Sequence, residues 1–122
     1  MKVHAINRVE DLIREIEDSD YLVANTVVLN SLMSAWVKAK NPAAIGRTEE
    51  ILRQMERSSH AKPDLVSYNT YLHALSIHSS SKRPDLSLRA ELLLQRMEGE
   101  YKSGVLPFGP NTFSYKIGRA HV

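Results

Sequence analysis

The chain contains no cysteine in its 122 residues, so disulfides and thiolate-held metals are excluded, and its redox compartment cannot be read from the sequence. It has no apolar run approaching the roughly 20 residues of a membrane-spanning helix. Large charge excess is missing too: 16 Lys and Arg stand against 14 Asp and Glu, a net +2. That balance points to nucleic acid only weakly. No Ser/His/Asp grouping, paired carboxylates or glycine-rich phosphate loop stands out, so no catalytic residue and no enzyme activity are assigned. His73 and His78 are five apart, wrong for one helical face, which argues against a metal site. The start of the chain carries neither a charged-then-apolar signal peptide nor an Arg/Ser-rich, acid-poor transit segment. What remains is an ordinary globular composition, 43% hydrophobic and 25% charged, of one domain or part of one.

What is present centres on residues 62–72. Pro63 disfavours helix at Lys62. Asp64 then stands where a helix N-cap belongs. Tyr68, Tyr71, Leu72 and Leu75 follow at the spacing of one helical face. Asn69 lies one turn in, off that apolar stripe. A shift of 39 positions carries Asp64 onto Asn25, Val66 onto Val27, Tyr68 onto Leu29 and Asn69 onto Asn30. Tyr71, Leu72, Ala74 and Leu75 fall on Leu32, Met33, Ala35 and Trp36. A fixed offset held across a whole helix marks a repeat protein.

The rest of the chain fits that frame and predicts an all-α fold, an α-solenoid of helix–turn–helix repeats. Residues 1–25 read as the second helix of a truncated repeat, at about 5–18, with Val9, Leu12, Ile13 and Ile16 inward and Glu10 among the outer charges. Asp18, Ser19 and Asp20 end it. Residues 26–64 read as one repeat, with helices at about 26–40 and 42–57. Asn41 can cap the second helix and Pro42 suits its first position. Residues 65–111 read as a repeat with enlarged loops and helices at about 65–77 and 84–102, the latter burying Leu88, Leu93, Leu94 and Met97. Glu49, Glu50 and Glu91 read as solvated. Residues 112–122 begin a further repeat at Thr112-Phe113-Ser114-Tyr115, after which Gly118 and lost periodicity predict no helical continuation. The last seven residues, Lys116 to Val122, resemble translated sequencing-library adapter and are set aside. Lys116 and Arg119 lie there with no acid, which leaves 14 basic against 14 acidic residues in the remainder.

The Pro-Asp and Pro-Asn junctions and the Val66-Ser67-Tyr68-Asn69-Thr70 opening resemble the pentatricopeptide repeat family, over residues 5 to 115. The family's name states a thirty-five-residue period; these units are longer, with the extra residues in loops. The resemblance implies an α-solenoid that binds single-stranded RNA in mitochondria or plastids, one base per repeat, with roles in RNA processing, stability or translation. No cofactor, no DNA partner and no membrane partner are expected. The resemblance implies that the base-facing pairs are Asn30 with Asp64 and Asn69 with Asn111, and that Val27, Val66 and Phe113 flank the bases. An Asp carboxylate only accepts hydrogen bonds, whereas an Asn amide also donates. The Asn30/Asp64 unit is therefore expected to favour uracil, which offers a ring N–H. The Asn69/Asn111 unit is expected to favour cytosine and tolerate uracil.

Blander readings stand beside these. Asn30 and Asn69 could be plain surface residues, and Asp64 and Asn111 helix caps alone, although a cap can also contact a base. Tyr68, Tyr71 and Trp36 lie on the core stripe and read as packing rather than stacking platforms. The alternative function is a protein-interaction scaffold, tetratricopeptide-like or part of a larger particle such as a ribosome. A tetratricopeptide helix wants Trp, Leu-Gly and Tyr early; Trp36 comes late and no Leu-Gly follows. A basic groove along the first helices favours RNA, and an apolar or acidic one a protein partner.

Overall fold

The computed structural model describes residues 3–17, 25–80 and 82–119. They form six helices and no strand: α1 (Val3–Glu17), α2 (Thr26–Lys38), α3 (Ala43–Arg57), α4 (Leu65–His78), α5 (Pro84–Lys102) and α6 (Thr112–Gly118). A single antiparallel bridge joins Ser80 and Arg83 in the α4–α5 loop. Among the described residues no helix is long and apolar enough to cross a membrane.

Three helices start alike because three matched residues cap them. Asn25, Asp64 and Asn111 each hold extended backbone, and each side chain accepts the N–H of the third residue on. Asn41 works one position earlier, accepting from Ala43 at 2.8 Å, so α3 begins behind Pro42. α2 ends at Lys38, two residues short of expectation, because Lys40 turns into the left-handed region at φ 54°. The end of α1 expected at Asp18-Ser19-Asp20 falls outside the described residues.

α4 is central: it packs against α2, α3, α5 and α6, while α1 packs on α2 and α5 on α6. Leu32, Met33, Trp36, Leu72, Leu75, Leu94 and Met97 meet in one apolar cluster. Three details correct the expected faces. The buried stripe of α5 runs Leu86, Ala90, Leu93, Leu94, Met97, so Leu88 lies off it and is 59% exposed. Leu12 on α1 is likewise exposed, while Ile6 and Glu10 are buried one turn apart; the Ile13 and Ile16 side chains are not among those described. α6 also continues through Lys116 and Ile117 to Gly118. The glycine permits this, since a Cβ there would stand 2.8 Å from Leu94 Cδ1.

Glu10 is buried for a reason. Its Oε1 accepts the Trp36 indole N–H at 2.8 Å, and its Oε2 faces the Arg47 guanidinium at 3.2 Å. A buried indole needs such an acceptor, and a buried carboxylate needs such a cation.

Candidate nucleic-acid interface

The candidate residues gather at two corners, one where the second turn of α2 meets the start of α4 and one where the second turn of α4 meets the start of α6. Asn30 and Asn69 each lie on the second turn of a helix, and both are only 9% exposed. They are neither plain surface residues nor clear of the packed face. At the first corner Asn30 Nδ2 donates to Asp64 Oδ1 at 3.0 Å. Ser67 Oγ donates to Asn30 Oδ1 at 2.6 Å. Asp64 Oδ1 also accepts the Ser67 N–H, and the Asp64 N–H donates to Ser67 Oγ, both at 3.1 Å. One carboxylate oxygen and one hydroxyl thus cap α4 and hold Asn30 together.

The second corner repeats most of this. Ser114 Oγ donates to Asn69 Oδ1 at 2.6 Å. Asn111 Oδ1 accepts the Ser114 N–H at 2.9 Å, and the Asn111 N–H donates to Ser114 Oγ at 3.1 Å. No hydrogen bond joins Asn69 to Asn111. Among the described residues, Asp64 Oδ2, Asn69 Nδ2 and Asn111 Nδ2 have no partner, which leaves an acceptor at the first corner and donors at the second.

Val27, Val66 and Phe113 are each the second residue of their helix and are 71%, 57% and 55% exposed. Apolar side chains so open at matched positions on three helices are not serving the core. A groove of ≈ 350 Å³ is lined by both Val66 and Phe113, and by Asn69, Lys38 and His73. A second, ≈ 690 Å³, is lined by Lys40, His73, His78, Lys116 and apolar neighbours. Neither has a carboxylate in its wall. Burial holds the His78 imidazole below its ordinary pKa, so the lysines supply the fixed positive charge of these grooves.

The α3–α5 side is the opposite case. Glu49 accepts from the Tyr71 hydroxyl at 2.9 Å and pairs with Arg89 and Arg53. Glu56 accepts from the Tyr68 hydroxyl and from Arg96, each at 3.0 Å. Tyr115 and Glu98 repeat the Tyr68–Glu56 bond one unit on, and Arg119 forks onto Glu91 at 2.7 and 2.8 Å. Glu49 and Glu91 are thus paired rather than simply solvated. Burial raises the Glu49 pKa, but its hydrogen bonds from Tyr71 and Arg53 and the Arg89 charge outweigh that and hold it below the usual value. Burial, and then the bond to Glu49, push Tyr71 up to about 12. Within this network each of Glu49, Glu56 and Glu91 faces an arginine.

The sequence names Asn30, Asp64, Asn69, Asn111, Val27, Val66 and Phe113 as candidates, but not the serine that joins each corner. The signal was available: Ser67 and Ser114 each stand three residues after a capping Asp or Asn, where a capping box puts its reciprocal partner. Among the described residues no cluster of three or more His, Asp or Glu converges as a metal site would.

Comparison with protein-family models, with curated proteins and with solved structures found no match for this chain.

Proposed function

We propose that this chain is a stretch of RNA-binding α-solenoid of the pentatricopeptide kind, taking one base of single-stranded RNA at each corner, in a mitochondrion or plastid. The observation that carries the reading is the matched pair of corners. Each brings a helix-borne Asn and a capping Asp or Asn together around one serine, and Val27, Val66 and Phe113 stand open at the matched second position of α2, α4 and α6. A base is a flat apolar plate with a polar edge. Val27 with Val66, and Val66 with Phe113, suit its faces; the Asn and the cap suit its edge. The grooves beside α4 carry Lys38 and Lys40 without acid, as a phosphate backbone requires, whereas on the α3–α5 side Arg89 and Arg96 are paired with Glu49 and Glu56. Alternation of α2, α4 and α6 with α3 and α5 supports the solenoid arrangement, because α4 touches both kinds of neighbour.

The test is titration of the full chain with eight-nucleotide RNAs of adenines carrying each base in turn at two adjacent central positions, followed by NMR. The Asn30/Asp64 corner is expected to prefer U and the Asn69/Asn111 corner C, by about 1–3 kcal/mol, the scale of good base-edge contacts. Asp64→Asn should move the first preference from U toward C. A base ranking unmoved by that change, with affinity intact, makes Asp64 a helix cap only.

A scaffold role has one observation in its favour: Leu88 and Leu92, one turn apart on α5, are 59% and 54% exposed. It gains if Leu88→Lys abolishes a protein association while RNA binding is absent.

A further inference from the structure

Ser67 and Ser114 are fully buried. Each places its Oγ 2.6 Å from the side-chain oxygen of an asparagine in the preceding unit. A primary amide has two unlike edges: its oxygen only accepts and its NH2 only donates. Where the oxygen is held therefore decides which edge remains for a ligand.

At the first corner the orientation is forced. A carboxylate oxygen only accepts, so the Asn30 atom 3.0 Å from Asp64 Oδ1 is the amide nitrogen. Reversal would set two oxygens against each other with no proton between them. At the second corner nothing forces it. The Ser114 hydroxyl has one proton and two oxygens in reach, Asn69 Oδ1 at 2.6 Å and Asn111 Oδ1 at 2.9 Å. If the Asn69 amide turned over, its NH2 would donate to Ser114 Oγ. The Ser114 proton would then pass to Asn111 Oδ1. Both arrangements keep Ser114, Asn69 and Asn111 hydrogen-bonded.

We infer that Ser67 and Ser114 are positioning residues that hold the Asn30 and Asn69 amides at the corners, while the capping residue decides which amide edge meets a bound base: Asp64 fixes it at the first corner and Asn111 leaves it reversible at the second. This deepens the RNA-binding reading and rests on it. A fixed edge makes the first corner selective. A reversible edge makes the second tolerant, able to meet a base acceptor or a base donor.

Two measurements on the full chain test this. The first uses no RNA. In NMR spectra of the free protein, Asn30 should give one sharp side-chain NH2 pair, and Asn69 a broadened or doubled pair. Asp64→Asn should make Asn30 behave like Asn69. Identical sharp pairs, unchanged by Asp64→Asn, overturn the inference whether or not RNA binds. The second uses the eight-nucleotide RNAs. Ser114→Ala releases the Asn69 amide from both settings and should weaken binding of either pyrimidine at the second corner by at least about fivefold, the lower end for a base-edge contact. Ser67→Ala should change binding at the first corner by less than about twofold on that scale, because Asp64 still holds the Asn30 amide. Ser67→Thr and Ser114→Thr keep the hydroxyl and should restore the parent binding. Equal losses at both corners mean the serines act as caps alone, and the inference falls. Amide asymmetry in a chain that binds no RNA upholds the two settings and rejects the RNA reading.

Discussion

Asp64 and Asn111 start their helices with the same backbone conformation and the same reciprocal bond to a serine, yet only Asp64 reaches across to the asparagine of the preceding unit. One oxygen in place of one nitrogen separates the two corners chemically. The carboxylate draws Asn30 Nδ2 to 3.0 Å and so ties α2 to the start of α4. The junctions differ as well. Thr26 Oγ1 binds the Lys62 carbonyl at 2.7 Å and fastens the short first junction to α2. The second, from Ser103 to Pro110, turns at Gly104 (φ 85°) and packs Leu106 and Phe108 against the core. A corner is thus held either by a charge-assisted bond across it or by apolar packing of the segment leading to it.

The largest test lies behind the corners, at the slot occupied by Trp36 in one unit and Leu75 in the next. Both are buried, and Trp36 alone has a hydrogen bond, to Glu10. Trp36→Ala should cost about 3–5 kcal/mol and Leu75→Ala about 2–5 kcal/mol by urea unfolding. A smaller loss for Trp36 than for Leu75 would mean that the Glu10 bond contributes nothing net.

At the corners themselves, removal of either cap should cost about 0.5–2 kcal/mol. Asp64→Ala should cost more than Asn111→Ala, because it also strips Asn30 of a partner while that amide remains buried. Equal losses in chemical denaturation would dissolve the difference between the corners.

Proton linkage probes the contacts that join the units on the far side. Glu49 is held below its ordinary value of 4.5, so the folded state binds fewer protons there than the unfolded chain. Its contribution is present above that value and is lost as pH falls through the lowered one. Tyr71 runs the other way, from 10.0 up to about 12. Its contribution is complete below pH 10 and is lost as pH rises toward about 12. Tyr71→Phe should flatten the alkaline limb of the stability curve; a limb as steep as in the parent chain would assign it to other groups.

The smallest expected effect is at the helix ends within each unit. Lys40 sits at φ 54° after α2, whereas Ser79, after α4, is extended at φ −69°. A side chain in the left-handed region costs roughly 1–2 kcal/mol, and glycine avoids it. Lys40→Gly should therefore stabilise by about 0.5–1 kcal/mol, less than the full strain because glycine loses more freedom on folding. Ser79→Gly should not stabilise. Equal shifts in thermal midpoint would contradict the assigned backbone geometry.

Much of this was legible in the chain. Pro63, Pro42 and Pro84 lie at or beside the helix starts, the 39-residue offset aligned α2 with α4, and the apolar stripes of those helices are the ones buried. The misreadings have physical causes. Leu88 reads as inward because it is apolar, but the Leu86–Ala90–Leu93–Leu94–Met97 stripe places it on another face of the same helix. Glu10 reads as outward because it is charged; nothing local announces Trp36 and Arg47 as its partners. The continuation of α6 depends on space beside Leu94 that only glycine leaves open.

By itself the sequence determined where helices begin and break and which faces are apolar. Caps, prolines and periodicity act on neighbours within about four residues, which the chain fixes covalently. Only the tertiary structure decided which polar groups go inside and what they touch. Glu10 meets Trp36 across 26 residues, Ser67 meets Asn30 across 37, and Ser114 meets Asn69 across 45. A buried polar group must find a hydrogen-bond partner, and at those separations the packing of helices, rather than the run of the chain, supplies it.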